Sequence, residues 1–174
     1  MKKLSKEPIL KFLSFGLVLY LSWFLLYEFW IHPMKVLDDA VIANTLALSR
    51  YLLNTVGFAS EISGDRILRI AGTPGLFLGD SCNGISLFAL YSIFIIAFPG
   101  KMLSKFFFIP LGIIVIHLLN VLRVVLLAVI ETYSYSWTEF NHTYTFNLII
   151  YSWIFFMWLY WINKFSGFRR PAAP

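Results

Sequence analysis

The chain has 174 residues, of which 59% are hydrophobic, 19% aromatic and only 13% charged, and its mean hydropathy is +0.76. That apolar share exceeds what soluble domains carry, so water is not its main solvent, and the length suits a single domain. The net charge of +5 would fit nucleic acid if the basic residues formed a groove, but they cluster beside apolar segments. Membrane orientation accounts for them, and nucleic acid is not an expected partner.

The first apolar stretch, from about Phe12 to Ile31, is just long enough to cross a hydrocarbon core of about 30 Å. Lys2, Lys3, Lys6 and Lys11 precede it, and Trp30-Ile31-His32-Pro33-Met34 offers no small-residue cleavage site, so an uncleaved anchor is expected. From Val36 to Val56, Leu37, Val41, Leu48 and Leu52 recur at helical intervals with Asp38, Asp39, Ser49 and Arg50 between them. This predicts an amphipathic helix lying on the membrane surface. Arg66 to Ile70 reads as a short strand, Gly72-Thr73-Pro74-Gly75 as a tight turn and Leu76 to Leu78 as a return strand.

A second span is predicted from Cys82 to Phe98, ended by Pro99-Gly100. The third, Phe106 to Ile130, is apolar except for His117, Asn120 and Arg123, whose spacing of three puts them roughly on one face. The fourth, Tyr144 to Ile162, carries Tyr151, Trp153, Trp158, Tyr160 and Trp161 as aromatic anchors. The expected fold is thus an all-α membrane protein, one domain over residues 1–174. It is a bundle of four transmembrane helices (12–31, 82–98, 106–130, 144–162) with an extracytoplasmic segment, 32–81, that carries the amphipathic helix and the β-hairpin before Cys82.

Charge sets the orientation. The N-terminal lysines, Lys101 and Lys105, and Lys164, Arg169 and Arg170 fall on one side if the spans alternate. By the positive-inside rule both termini are cytoplasmic, and the connections 32–81 and 131–143 face outward. Lys35, Arg50, Arg66 and Arg69 in the outer connection oppose this reading, and the nearby acids do not count in the rule.

Arg123 is the most costly residue to place, since Arg at a helix centre costs roughly 2.5 to 3.5 kcal/mol by insertion scales and usually faces a bundle interior or wet cavity. It lies about 10 Å from the outer end of its span at helical rise, a depth from which a snorkelling stem also reaches the headgroups. Cys82 is the only thiol. A lone membrane cysteine is commonly a small buried hydrophobe, but Gly79-Asp80-Ser81 offers a helix cap just before it, and the positive end of a helix dipole lowers a thiol pKa.

With alternating spans, Cys82, Arg123 and His142 reach similar depth near the outer leaflet. A thiol, a guanidinium and an imidazole at one level suit nucleophilic catalysis, with Arg stabilising an anion and His moving a proton. Asn120 is expected to orient Arg123 or to join helices, and His117 to be structural. Glu131 and Glu139 are read as solvated loop charges, with pairing to Arg123 or His142 as the alternative. No metal or cofactor is called for.

These residues resemble the exosortase and archaeosortase family of membrane cysteine transpeptidases. Asp80-Ser81-Cys82-Asn83-Gly84-Ile85 is similar to the family's acidic-x-Cys-Ser-Gly motif, Asn120-Val121-Leu122-Arg123 to its Asn-x-x-Arg motif, and His142 to the His or Arg that opens a later helix. Asn83 stands where Ser is usual, and with four spans the chain resembles a short, single-domain member. The resemblance, over roughly Arg66 to Tyr151, implies cleavage of exported proteins whose C-terminal sorting signal consists of a recognition motif, a transmembrane helix and a basic tail. Cys82, Arg123 and His142 would be catalytic, with Asp80, Asn83, Gly84 and Asn120 supporting them. The implied setting is the bacterial inner membrane, with the site facing outward at the lipid boundary.

Three other readings share these residues. A non-enzymatic assembly protein would use His117, Asn120 and Arg123 as a polar seam, and a small transporter would use Arg123 as an anion site, although paired broken helices are missing from the pattern. A hydrolytic intramembrane protease would share the nucleophile and differ only in what receives the acyl group.

Overall fold

The computed structural model describes residues 6–133, 141 and 145–165. Helix α1 (Lys6–Leu26) runs into a π-helical turn (Tyr27–Ile31) and a last turn, α2 (His32–Met34). Lys35, with φ of +60°, then reverses the chain into α3 (Val36–Thr55). Left-handed backbone is uncommon outside glycine. Three short strands follow, β1 (Ser60–Ser63), β2 (Ile67–Ile70) and β3 (Leu76–Phe77), then a 3-10 turn at Asp80–Cys82. The remaining helices are α4 (Ile85–Ala97), α5 (Met102–Glu131) and α6 (Phe146–Lys164).

Among the described residues, three helical stretches are long and apolar enough to cross a membrane: Leu10–Met34, Met102–Glu131 and Phe146–Lys164. Helix α4 is shorter, 13 residues, or about 20 Å at helical rise against a core of about 30 Å. The helix expected to begin at Cys82 or just after it begins at Ile85. The chain is diverted first by the 3-10 turn and then by Gly84, whose φ of +78° a side chain would strain. Asn83, rather than Gly79-Asp80-Ser81, supplies the cap: its Oδ1 accepts from the Ile85 amide at 2.8 Å.

The predicted hairpin is present, with β2 antiparallel to β3 and Ile67 opposite Phe77. The sheet extends further than expected, because β1 pairs antiparallel along the other edge of β2, Ser60 opposite Ile70. Ser60-Glu61-Ile62-Ser63 has too little apolar character to announce a strand.

Helix α3 forms where the periodicity places it, but its buried stripe is not the predicted one. Leu37 and Leu52 are exposed, whereas Asp38, Ile42, Thr45, Leu46, Ser49 and Leu53 are buried. The stripe rotates toward α5 because its polar members find partners there or locally. Ser49 donates to the Val121 carbonyl, Thr45 donates to the Val41 carbonyl, and Asn44 at the edge meets His117 at 2.8 Å. The helix thus packs along the C-terminal half of α5.

Two apolar clusters result. One joins Ile42, Leu46 and Leu53 of α3 to Leu68 and Ile70 of β2 and to Val124 and Ala128 of α5. The other joins Tyr91 and Ile95 of α4 to Ile116 of α5 and to Ile150, Ile154 and Trp161 of α6. Gly112 lets α4 and α5 close together, since a β-carbon there would overlap the Tyr91 ring, whose hydroxyl donates to the Phe108 carbonyl at 2.9 Å. The Cys82 turn lies at the N-terminal end of α4 beside α5.

Candidate active site

Cys82 ends the 3-10 turn, its amide bonded to the Gly79 carbonyl at 2.9 Å, and the residue is only 9% exposed. Its carbonyl accepts from Asn120 Nδ2 at 2.8 Å, a bond that fixes the turn against α5. Arg123, one turn further along α5, is 7% exposed. Cys82, Asn120 and Arg123 line one crevice of about 10 Å³, roofed by Leu76, Phe77 and Leu78 of the hairpin. The three-residue spacing on α5 does what it suggests: His117 reaches Asn44, Asn120 reaches the Cys82 backbone, and Arg123 faces the thiol-bearing turn.

On the opposite side of the turn a second cavity of about 200 Å³ opens between α4, α5 and α6. Ser81, Asn83, Gly84, Asn120, Arg123 and Tyr151 are among its walls. Arg123 and Asn120 border both concavities and so stand between them. A guanidinium between a thiol and a polar cavity suits the stabilisation of an anion formed on a group seated there.

Asp80 does not cap a helix. It accepts from Lys35 Nζ at 2.8 Å and Arg66 Nη1 at 2.6 Å, and these two bonds hold its carboxyl down at about 2. Arg66, pushed up from its ordinary value by Asp80 and then Asp39, also bonds Asp39 at the start of α3. The Cys motif is thereby tied to both the first membrane helix and the sheet. Gly84 has the left-handed conformation described above, which explains the glycine of the motif.

His142 and Glu139 lie outside the described residues. Glu131 is not a solvated loop charge: it is buried at the end of α5 and accepts from the Gly75 amide in the hairpin turn. Two residues that sequence reasoning missed stand beside the motif. Asp38 is 0% exposed, and its Oδ1 receives both Tyr27 Oη and Asn83 Nδ2 at 2.5 Å. His32 Nδ1 lies 3.5 Å from the other carboxylate oxygen. A helical register drawn through Ile42, Leu46 and Leu53 puts Asp38 on the same buried face, and that was the available signal. Among the described residues no cluster of His, Cys, Asp and Glu has the geometry to hold a metal ion.

The chain matches the transmembrane exosortase family over residues 4–164, nearly its whole length. No curated protein and no solved structure matches it. The match spans the Cys82 turn, the Asn120 and Arg123 pair and all three long apolar helices. The chain therefore belongs to the transmembrane exosortase family.

Proposed function

We propose that this membrane protein is a cysteine transpeptidase or peptidase that cleaves the C-terminal sorting signals of exported proteins at the outer leaflet of the bacterial inner membrane. The observation that carries the reading is the convergence of Cys82, Asn120 and Arg123 on one crevice beside a polar cavity. A substrate anchored by its own transmembrane helix presents its scissile bond at the lipid boundary, and the 200 Å³ cavity has room for one or two side chains next to that bond.

The Cys82 thiolate attacks the scissile carbonyl carbon, and the carbonyl π electrons move onto oxygen. Arg123 stabilises that oxyanion. Collapse breaks the C–N bond, His142 gives the departing amine its proton, and the N-terminal part of the substrate remains on Cys82 as a thioester. An incoming amine or water then attacks the thioester carbonyl, passes its proton to His142 and releases the thiolate. An amine gives transfer and water gives hydrolysis. Asp80, Asn83, Gly84 and Asn120 hold the nucleophile's turn. In this reading the shorter α4 completes a fourth crossing, both termini are cytoplasmic, and no cofactor takes part.

The test pairs Cys82→Ala and Arg123→Ala with a substrate that ends in a transmembrane helix and basic tail. Each variant is expected to abolish processing while inserting at the normal level. Wild-type cleavage in Cys82→Ala ends the proposal. A Cys82→Ser protein that keeps its cellular function would favour a polar seam for a partner helix instead.

A further inference from the structure

Taking Cys82 in its turn as the proposed nucleophile, we propose that Asp38 is a positioning residue that holds that turn through the side chain of Asn83. Asp38 belongs to α3, far from the motif in sequence, and its side chain is fully buried. A carboxylate is retained in such a place only when donors surround it. Here the donors are Tyr27 Oη, from the end of the first membrane helix, and Asn83 Nδ2, both on Oδ1.

Asn83 uses its other end as well. Its Oδ1 accepts from the Ile85 amide, so one side chain joins the Asp38 carboxylate to the first turn of α4. Cys82 lies immediately before it and is held on its other flank by Asn120. The nucleophile's peptide therefore sits in a two-sided clamp, α3 acting through Asn83 and α5 acting directly. A serine hydroxyl can donate and accept, but it does both from a single atom one bond closer to the backbone and lacks the reach to span the two contacts. That gives a physical reason for Asn at the position where the resemblance has Ser.

The second carboxylate oxygen fixes the orientation of the group. Asp38 Oδ2 and His32 Nδ1 face each other at 3.5 Å, and among the described residues neither atom has a hydrogen-bond partner. His32 Nε2 in turn lies 3.4 Å from Lys35 Nζ and 4.0 Å from Asp80 Oδ2. The charged and titratable groups around Asp38 are thus Tyr27 and His32, with Lys35 and Asp80 behind them and Arg66 and Asp39 further out. All of them sit on one flank of the motif, and Asn83 is the one link from Asp38 to the Cys82–Ile85 stretch among the described hydrogen bonds.

The test reads Cys82 directly. Full-length protein in detergent is treated with iodoacetamide across a pH series, and the rate of alkylation is followed by mass spectrometry alongside processing of the tail-signal substrate. Asp38→Ala frees the Asn83 amide, so alkylation is expected to rise severalfold as the buried thiol becomes accessible. The turnover number kcat for processing falls roughly 10- to 100-fold with KM nearly unchanged, as for a misplaced reacting group.

Asp38→Asn keeps an acceptor for Asn83 and is expected to restore both rates. Asn83→Asp sets two carboxylates against each other and is expected to open the turn at alkaline pH. The exchange Asp38→Asn/Asn83→Asp reverses the bond and is expected to close it again, with the alkylation profile moved to higher pH by the carboxylate now next to the thiol. Wild-type alkylation in Asp38→Ala, or no closure in the exchange, overturns the proposal. If Asp38→Ala fails to fold, the comparison of Asn83→Asp with the exchange decides alone. Alkylation needs no substrate, so a protein with this pattern but no processing keeps the clamp and loses the transpeptidase reading.

Discussion

Asp80 holds two cations, Lys35 and Arg66, on one carboxylate, and its folded-state pKa of about 2 lies below the ordinary 3.8. The unfolded chain binds the proton more readily, so the Lys35 and Arg66 pairs stabilise the fold fully above pH 3.8 and lose that contribution as pH falls through about 2. Acid unfolding followed by tryptophan fluorescence in detergent should therefore be steeper for the wild type than for Asp80→Asn across that window. The difference should shrink with added salt, because these groups are partly solvated. An unchanged slope would mean that the three charges do not act together. At this scale the sequence singled out Cys82, Asn120 and Arg123 and left out how they are held. Arg123 and Asn120 were legible because polar groups at regular spacing in an apolar helix have few places to go. Asp38 and His32 were not, because an acid in an amphipathic helix ordinarily faces water, and only the fold shows Asn83 and Tyr27 waiting for it.

Helices α4 and α5 approach so closely at Gly112 that a methyl group there would occupy the space of the Tyr91 ring carbons as well as its hydroxyl. Gly112→Ala is expected to cost about 1 to 3 kcal/mol of stability, the range for overpacking. Tyr91→Phe should give no relief, since it leaves the ring in place; thermal unfolding in detergent measures both. The lengths of the long apolar helices and the β2–β3 hairpin could be read from the sequence, since each rests on a local pattern. The start of α4 could not. Three residues of apparent helix, Cys82 to Gly84, are taken up by a turn that exists because Asn83 is pulled toward α3 and Gly84 tolerates a positive φ. Strand β1 escaped for a related reason: what selects it is the open edge of β2 rather than its own composition.

Over the whole molecule, basic residues and apolar spans predict that Cys82 faces the exterior. In intact cells an impermeant maleimide should label it, slowly, because the hairpin roofs the crevice. Asp38→Ala should speed that labelling. Protection in intact cells with labelling only after lysis would invert the orientation.

The first helix gives the molecule one more property. Its apolar stretch, Leu10–Met34, has none of its most hydrophobic window buried, yet it is fastened at both ends. Phe12 packs edge-on against Phe94 and Phe98 of α4 near its N-terminal end, while Tyr27 bonds Asp38 at the other. Between those ends it lies along α4, Gly16 close to Ala97, with its other faces exposed, and tilt is how a membrane helix answers bilayer thickness. Thicker or thinner acyl chains therefore pull on Tyr27 and Lys35, and through Asp38 and Asp80 on the turn that bears the thiol. The rate of the proposed processing reaction in liposomes is therefore expected to pass through an optimum as acyl length is varied.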